Sequence, residues 1–220
     1  MKISTSNKYP FLWIVGMSIV LFSSCIYKDV DGNICPTVDI GSQKWMSTNL
    51  KVTHYRNGDP IPRVTDSATW ANLTTGAYCE YDNDTNNGND YGLLYNWYAV
   101  NDSRGLAPEG WRIPTRDDFI ELKNFLDGGS GSELKAGGYA VPGWDGNNNT
   151  FFTALPAGAR GLQGTLDFDD MGYSTFYWTK TVDDSDPLKA NAALLESINT
   201  ELLYGPSKKY RGYSVRCIHE

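Results

Sequence analysis

Between Tyr81 and Val100 the sequence reads YDNDTNNGNDYGLLYNWYAV, and its first half offers four hard oxygen donors: Asp82, Asp84, Asn86 and Asp90. Calcium is the cation that such carboxylate and amide oxygens suit. Asp82, Asp84 and Asn86 stand at alternate positions, as ligands of an EF-hand loop do. The glycine, Gly88, comes one residue late, however, and Leu93 occupies the place of the bidentate glutamate. The EF-hand pattern fails, which leaves a looser calcium candidate set against a plain Asx-rich surface turn.

Catalytic chemistry has less to work with. The histidines are His54, beside a turn, and His219, one residue from the end. A Ser-His-Asp or Cys-His centre needs a base oriented by a third group, and neither histidine lies in such a motif. Asp169-Asp170 and Asp183-Asp184 sit among loop-forming residues, where paired acids are solvated. The four cysteines, Cys25, Cys35, Cys79 and Cys217, lack the close spacing of a zinc or redox motif. The chain reads as a non-enzyme.

Stacking on sugars is the remaining chemistry. Seven tryptophans and fourteen tyrosines are many for 220 residues, and planar rings in wet loops suit pyranose faces. Trp45, Trp97, Trp111 and Trp178 read as core. Trp144 and Tyr173, flanked by glycine, asparagine and aspartate, read as exposed and are the ligand-binding candidates.

Short segments punctuated by Gly, Asn, Asp and Pro must position these residues. Thr37 to Ile40 alternates and turns through Gly41-Ser42-Gln43 into Lys44 to Met46, which predicts a hairpin. Asn57-Gly58 is a turn dipeptide, and Pro60 and Pro62 forbid a central strand. Asp66 caps a predicted short helix running to Leu73. Thr115 and Asp118 form a capping box ahead of Phe119, Leu122, Phe125 and Leu126, with Gly128 as the stop. This helix is expected to pack against Tyr91 to Val100. Tyr213 to Ile218 alternates like a strand. The pattern predicts one α+β domain with two main helices, short antiparallel strands and long loops.

The N-terminus carries an address. Lys2 and Lys8 precede the mostly apolar run from Phe11 to Phe22, which is too short to span a bilayer and fits a signal peptide over residues 1–24. Leu21-Phe22-Ser23-Ser24-Cys25 resembles a lipoprotein lipobox, with Cys25 as the lipidated residue. Residues 25–31 then form a charged tether and 32–220 the domain. Loss of Lys2 and Lys8 leaves 17 basic residues against 26 acidic ones, taking the formal charge from −7 to −9. Such a chain repels nucleic acid and anionic lipid, so membrane attachment comes from the lipid anchor on Cys25. The outer membrane is the expected site, surface-exposed in preference to periplasmic. Cys35, Cys79 and Cys217 remain, and three thiols allow at most one internal disulfide.

The blocks DVDGNICPTVDIGSQKWMSTNLKVTHYRNGDPIP, GAYCEYDNDTNNGNDYGLLYNWYAVNDSRGLAPEGWRIPTRDDFIEL, FTALPAGAR and GYSVRCIHE resemble, in order, the Fibrobacter succinogenes major paralogous domain family. The resemblance runs from about Asp29 to Glu220. It implies a C-type-lectin-like fold, similar also to the formylglycine-generating enzymes, and attachment to polysaccharide or another surface component. It also implies a bridge between Cys79 and Cys217 with Cys35 spare, the alternative being Cys35 to Cys217. The calcium-dependent sugar triplets of that fold class, Glu-Pro-Asn and Gln-Pro-Asp, are missing from the sequence. Formylglycine-generating enzymes use two reactive cysteines near the C-terminus, where this chain has Cys217. An enzyme of that fold, or a subunit of a surface assembly with no ligand of its own, are the competing expectations.

Overall fold

The computed structural model describes residues 27–127, 131–138, 144, 146–162, 166–197 and 199–220. The expected signal peptide, Cys25 and the expected helix stop at Gly128 lie outside the described residues. Among those described, no helix is long and apolar enough to cross a membrane.

The first element is a hairpin of β1 (Tyr27–Lys28) and β2 (Ile34–Cys35). The Asp29 carboxylate closes it by accepting from the amides of Asp31 and Asn33. Residues 27–31 therefore belong to the folded body, a correction to their reading as tether. Strands β3 (Thr37–Ile40) and β4 (Gln43–Met46) form the expected hairpin, with Ile40 opposite Gln43. Helix α1 (Ser67–Ala71) begins at its predicted cap, where the Asp66 side chain accepts from the Thr69 amide.

The stretch around Asp82 is more ordered than its composition implies. After β5 (Tyr78–Cys79) comes a 3-10 turn, Tyr81–Asn83, and then α2 (Thr85–Tyr91). Asp84 is the N-cap of α2 and accepts from the Asn86 amide, so one of the four expected calcium donors is occupied in holding a helix. Gly92, at φ 83°, ends α2, because only glycine takes that backbone without strain. The chain then makes β6 (Leu94–Tyr95) and α3 (Trp97–Val100).

Strand β7 (Trp111–Arg112) leads into α4 (Arg116–Phe125), which carries the capping box: Thr115 Oγ1 accepts from the Asp118 amide, and the Asp118 carboxylate accepts from the Thr115 amide. Phe119, Leu122 and Leu126 are buried and Phe125 is exposed. Helix α4 lies on the sheet formed later in the chain rather than on Tyr91 to Val100. Gly92 and Asn96 divide that segment among the end of α2, β6 and the four-residue α3, so it presents no long helical face to receive α4.

The remaining elements are α5 (Gly131–Leu134), β8 (Ala157–Arg160), β9 (Phe168–Met171), β10 (Ser174–Val182), β11 (Lys189–Glu196), β12 (Leu203–Lys208) and β13 (Ile218–His219). One sheet has the order β12-β11-β10-β8-β9; another has β3-β4-β13-β7, which brings the chain end beside the first hairpins. Pairing is antiparallel except between β10 and β8. The domain is mixed α+β. Its helices are short apart from α4, where two main helices were expected.

Tryptophan builds the core. Trp45, Trp97, Trp111 and Trp178 are buried as expected, and so are Trp70 and Trp144. Burial of an indole favours a partner for its N–H. Trp70 donates to Tyr210 O, Trp97 to Thr179 O and Trp178 to Tyr95 O, each tying two distant segments together. Trp144 corrects the expectation of an exposed ligand-binding ring. It is 3 % exposed, donates to Ala154 O and packs among Phe152, Leu134 and Leu202. Its polar sequence neighbours gave no sign of that long-range pocket.

The expected Cys79–Cys217 disulfide is not formed, and Cys35, Cys79 and Cys217 are all free and buried. The reason is topological. Cys79 lies in a small cluster with Trp70, Ala77 and Leu94, whereas Cys217 and Cys35 belong to the main core. Burial pushes the Cys35 thiol up to about 11 and Cys79 to about 12, and raises Cys217 as well.

Candidate functional site

The sheet β12-β11-β10 has two faces fixed by register. Trp178 pairs with Ala192 and Phe176 with Leu194, while Ala192 pairs with Gly205 and Leu194 with Leu203. Paired residues share a face of the sheet. The opposite face carries Tyr177, Ala193 and Leu195, which pack with Phe119 and Leu122 of α4. The first face is covered by the main core at Trp178 and Ala192. Farther along it opens into a groove of about 370 Å³ over Phe176, Leu194, Leu203 and Gly205, closed at one side by Ser207, Arg211 and Tyr213.

Three rings support the groove from beneath. Phe176 stacks on Tyr213 at 4.7 Å with an interplanar angle of 13°, and Tyr213 in turn meets Trp178 at 4.6 Å. Tyr213 and Trp178 are fully buried and Phe176 half-buried, so Phe176 is a fixed platform. Small residues leave the space above it: Ala192 on β11 and Gly205 on β12. A methyl group added at Gly205 would meet nothing within 4 Å.

Polar groups converge at one end. Ser207 Oγ and the Tyr213 hydroxyl lie 2.8 Å apart. Arg211 Nη1 donates to both, at 3.1 Å and 3.2 Å. An apolar floor with a few convergent polar groups is the usual composition of a ligand site. It can hold a flat apolar face while meeting hydrogen-bonding groups at its end.

The residues singled out from sequence do not gather there. Tyr173 is 51 % exposed in the turn between β9 and β10, outside the groove. Asp82, Asp84, Asn86 and Asp90 are spread over the 3-10 turn and α2, and among the described residues no three His, Cys, Asp or Glu side chains are grouped to hold a metal. His54 Nδ1 meets Asp31 Oδ1 at 2.6 Å, joining the first hairpin to the loop before Asn57. His219 packs edge-on to Tyr27 and Trp111. Sequence reasoning passed over Ser207, Gly205 and Arg211. Period-two alternation in Phe176-Tyr177-Trp178 did hold a signal, since it separates Phe176 and Trp178 from Tyr177.

A second polar hollow of about 510 Å³ lies over Asp39, Lys44, Glu121 and His219. Its Arg112 and Asp118 are engaged with each other through two hydrogen bonds of 2.6 Å and 2.7 Å. It lacks the apolar floor of the groove on β10 to β12.

A family model described as Fibrobacter succinogenes major domain matches residues 38–219 of the chain. Among curated proteins and among solved structures, nothing matches.

Proposed function

The chain belongs to the Fibrobacter succinogenes major domain family, and we propose that it is a non-enzymatic binding module of the cell envelope. In this reading Cys25 carries the lipid anchor in the outer membrane. The groove on β10 to β12 faces outward and binds polysaccharide or another surface component. The groove carries the proposal: an aromatic platform braced by two buried rings, with Arg211, Ser207 and Tyr213 at its end. The thiols support the non-enzymatic part. A nucleophilic cysteine needs a depressed pKa, and burial raises Cys217 instead. We place the fold with the C-type-lectin-like domains, supported by the early β3–β4 hairpin and the last strand, β13, sharing one sheet. Calcium at Asp82, Asp84, Asn86 and Asp90 stays a subsidiary proposal, and melting with and without millimolar calcium tests it.

Gly205→Leu tests the site. The substitution projects into open space, so the variant should melt like the parent and lose retention on glycan-coated beads. Retention of both proteins would remove the groove from the reading. Palmitate-analogue labelling of whole cells should mark the parent and spare Cys25→Ala.

A further inference from the structure

We infer that the ligand of the groove is an acidic saccharide, with the apolar face of a pyranose ring on Phe176 and its carboxylate on Arg211; this rests on the groove being the binding site. The argument turns on how this protein spends its arginines. Arg63, Arg104 and Arg112 are paired with carboxylates. Arg56, Arg160 and Arg216 give their guanidinium hydrogens to backbone carbonyls. Arg116, 5.0 Å over the Tyr204 ring, and Arg211 have neither kind of partner among the described residues, and of the two it is Arg211 that lines the groove. Its Nη1 donates to two hydroxyls, which fix the plane of the guanidinium while leaving its charge unmatched. Among the described residues Nη2 has no acceptor, and Nε is buried without one.

A cation held by neutral groups at the end of an otherwise apolar groove is complementary to an anion. The guanidinium keeps its Nη2 hydrogens to donate to a carboxylate, a charge-assisted bond. The rest of the lining narrows the class. A simple inorganic anion would leave Phe176, Leu194 and Leu203 uncovered. An acyl chain would lie half in water, since the groove is open along its length. A uronic acid unit of a polysaccharide offers a flat apolar ring face and a carboxylate on the same ring, and Phe176 and Arg211 line the same groove.

Titration calorimetry of the full chain in detergent with oligogalacturonate and with its methyl ester tests this, because the ester keeps the sugar and removes the charge. The acid should bind and the ester bind more weakly. Arg211→Gln should weaken the acid roughly 10- to 100-fold, the worth of a charged hydrogen bond, without changing the ester, and Arg211→Lys should recover part of the loss. Gly205→Leu should abolish both. Melting curves confirm that each variant is folded.

Equal affinity for acid and ester, or an unaltered Arg211→Gln, overturns the acidic-ligand inference. It leaves the groove standing if Gly205→Leu still blocks binding. Acid binding that survives Gly205→Leu overturns the groove itself. No binding of the acid, or its displacement by decanoate or by inorganic sulfate at equal concentration, also overturns the inference.

Discussion

At the scale of single residues, the buried cations explain parts of the sequence that look functional. Arg160 is 0 % exposed and donates to Val64 O at 2.8 Å and Thr65 O at 2.7 Å, with its guanidinium 4.7 Å from the Trp70 ring. Arg216 is equally buried and holds Asn49 Oδ1 and Phe152 O. Each is a clamp for a loop that has few regular hydrogen bonds of its own. Arg160→Gln should cost about 2–4 kcal/mol in urea unfolding, since charged hydrogen bonds are lost and buried carbonyls are left without donors. The thiols give a second test. Ellman's reagent at pH 8 should find Cys35, Cys79 and Cys217 unreactive in the folded domain and all three reactive in urea, because their folded-state thiols stay protonated and covered. A bridge between any two would show as a missing pair of thiols in urea. Neither feature was legible in the sequence. Burial of an arginine or separation of two cysteines depends on which loops meet, and Arg160 meets Val64 across 96 positions.

Elements are where the sequence spoke most clearly, and mainly where the signal is local. Asp66 before α1 and Thr115 with Asp118 at α4 were readable because a cap and its amide lie within three residues. The β3–β4 hairpin was readable from alternation around Gly41-Ser42. Helix α2 was not, since its residues TNNGNDY are poor helix formers. The cap from Asp84, and Asn87 donating to Tyr81 O, hold it against propensity. The groove was hidden for a related reason: Gly205 reads as a strand breaker, and only the register with Ala192 reveals it as floor.

Helix α4 carries a pH prediction. Burial works to raise the Asp118 carboxyl, but the Arg112 guanidinium and the Thr115 hydroxyl and amide outweigh it and hold the group below the usual carboxylate range. A lowered folded pKa means that the stabilisation is complete above the unfolded value, near 4, and is lost as pH falls through the folded one. Melting temperature should therefore decline below about pH 4, with a smaller decline in Asp118→Asn. Thr115→Ala should cost about 1 kcal/mol at neutral pH.

Across the whole molecule, one principle recurs: connections replace layers. The two large sheets contribute strands as short as two residues, β7 and β13 among them, and indole and guanidinium donors stitch the intervening loops to distant carbonyls. The loops carry the chain's polar and turn-forming residues, so composition suggested a wet aromatic surface. The rings went inward because each has a large apolar surface to bury, and they fill the core together with the leucines, isoleucines and valines. Among the described residues, half-buried rings remain at the groove, Phe176 and Tyr204 among them, with scattered exposed apolar side chains such as Phe151 and Tyr173.

The β1–β2 hairpin has a consequence for geography. Strand β1 starts at Tyr27, two positions after the proposed lipidated Cys25. Two residues of chain reach at most about 7 Å, about the thickness of one lipid headgroup layer. A protein leashed so tightly cannot stand off from its membrane or swing about its anchor. It would ride flat on the bilayer with one side permanently shaded, and its working height would be set by its own diameter. A twelve-residue Gly-Ser insert between Cys25 and Tyr27 should then make the domain markedly easier for added trypsin to shave from intact cells.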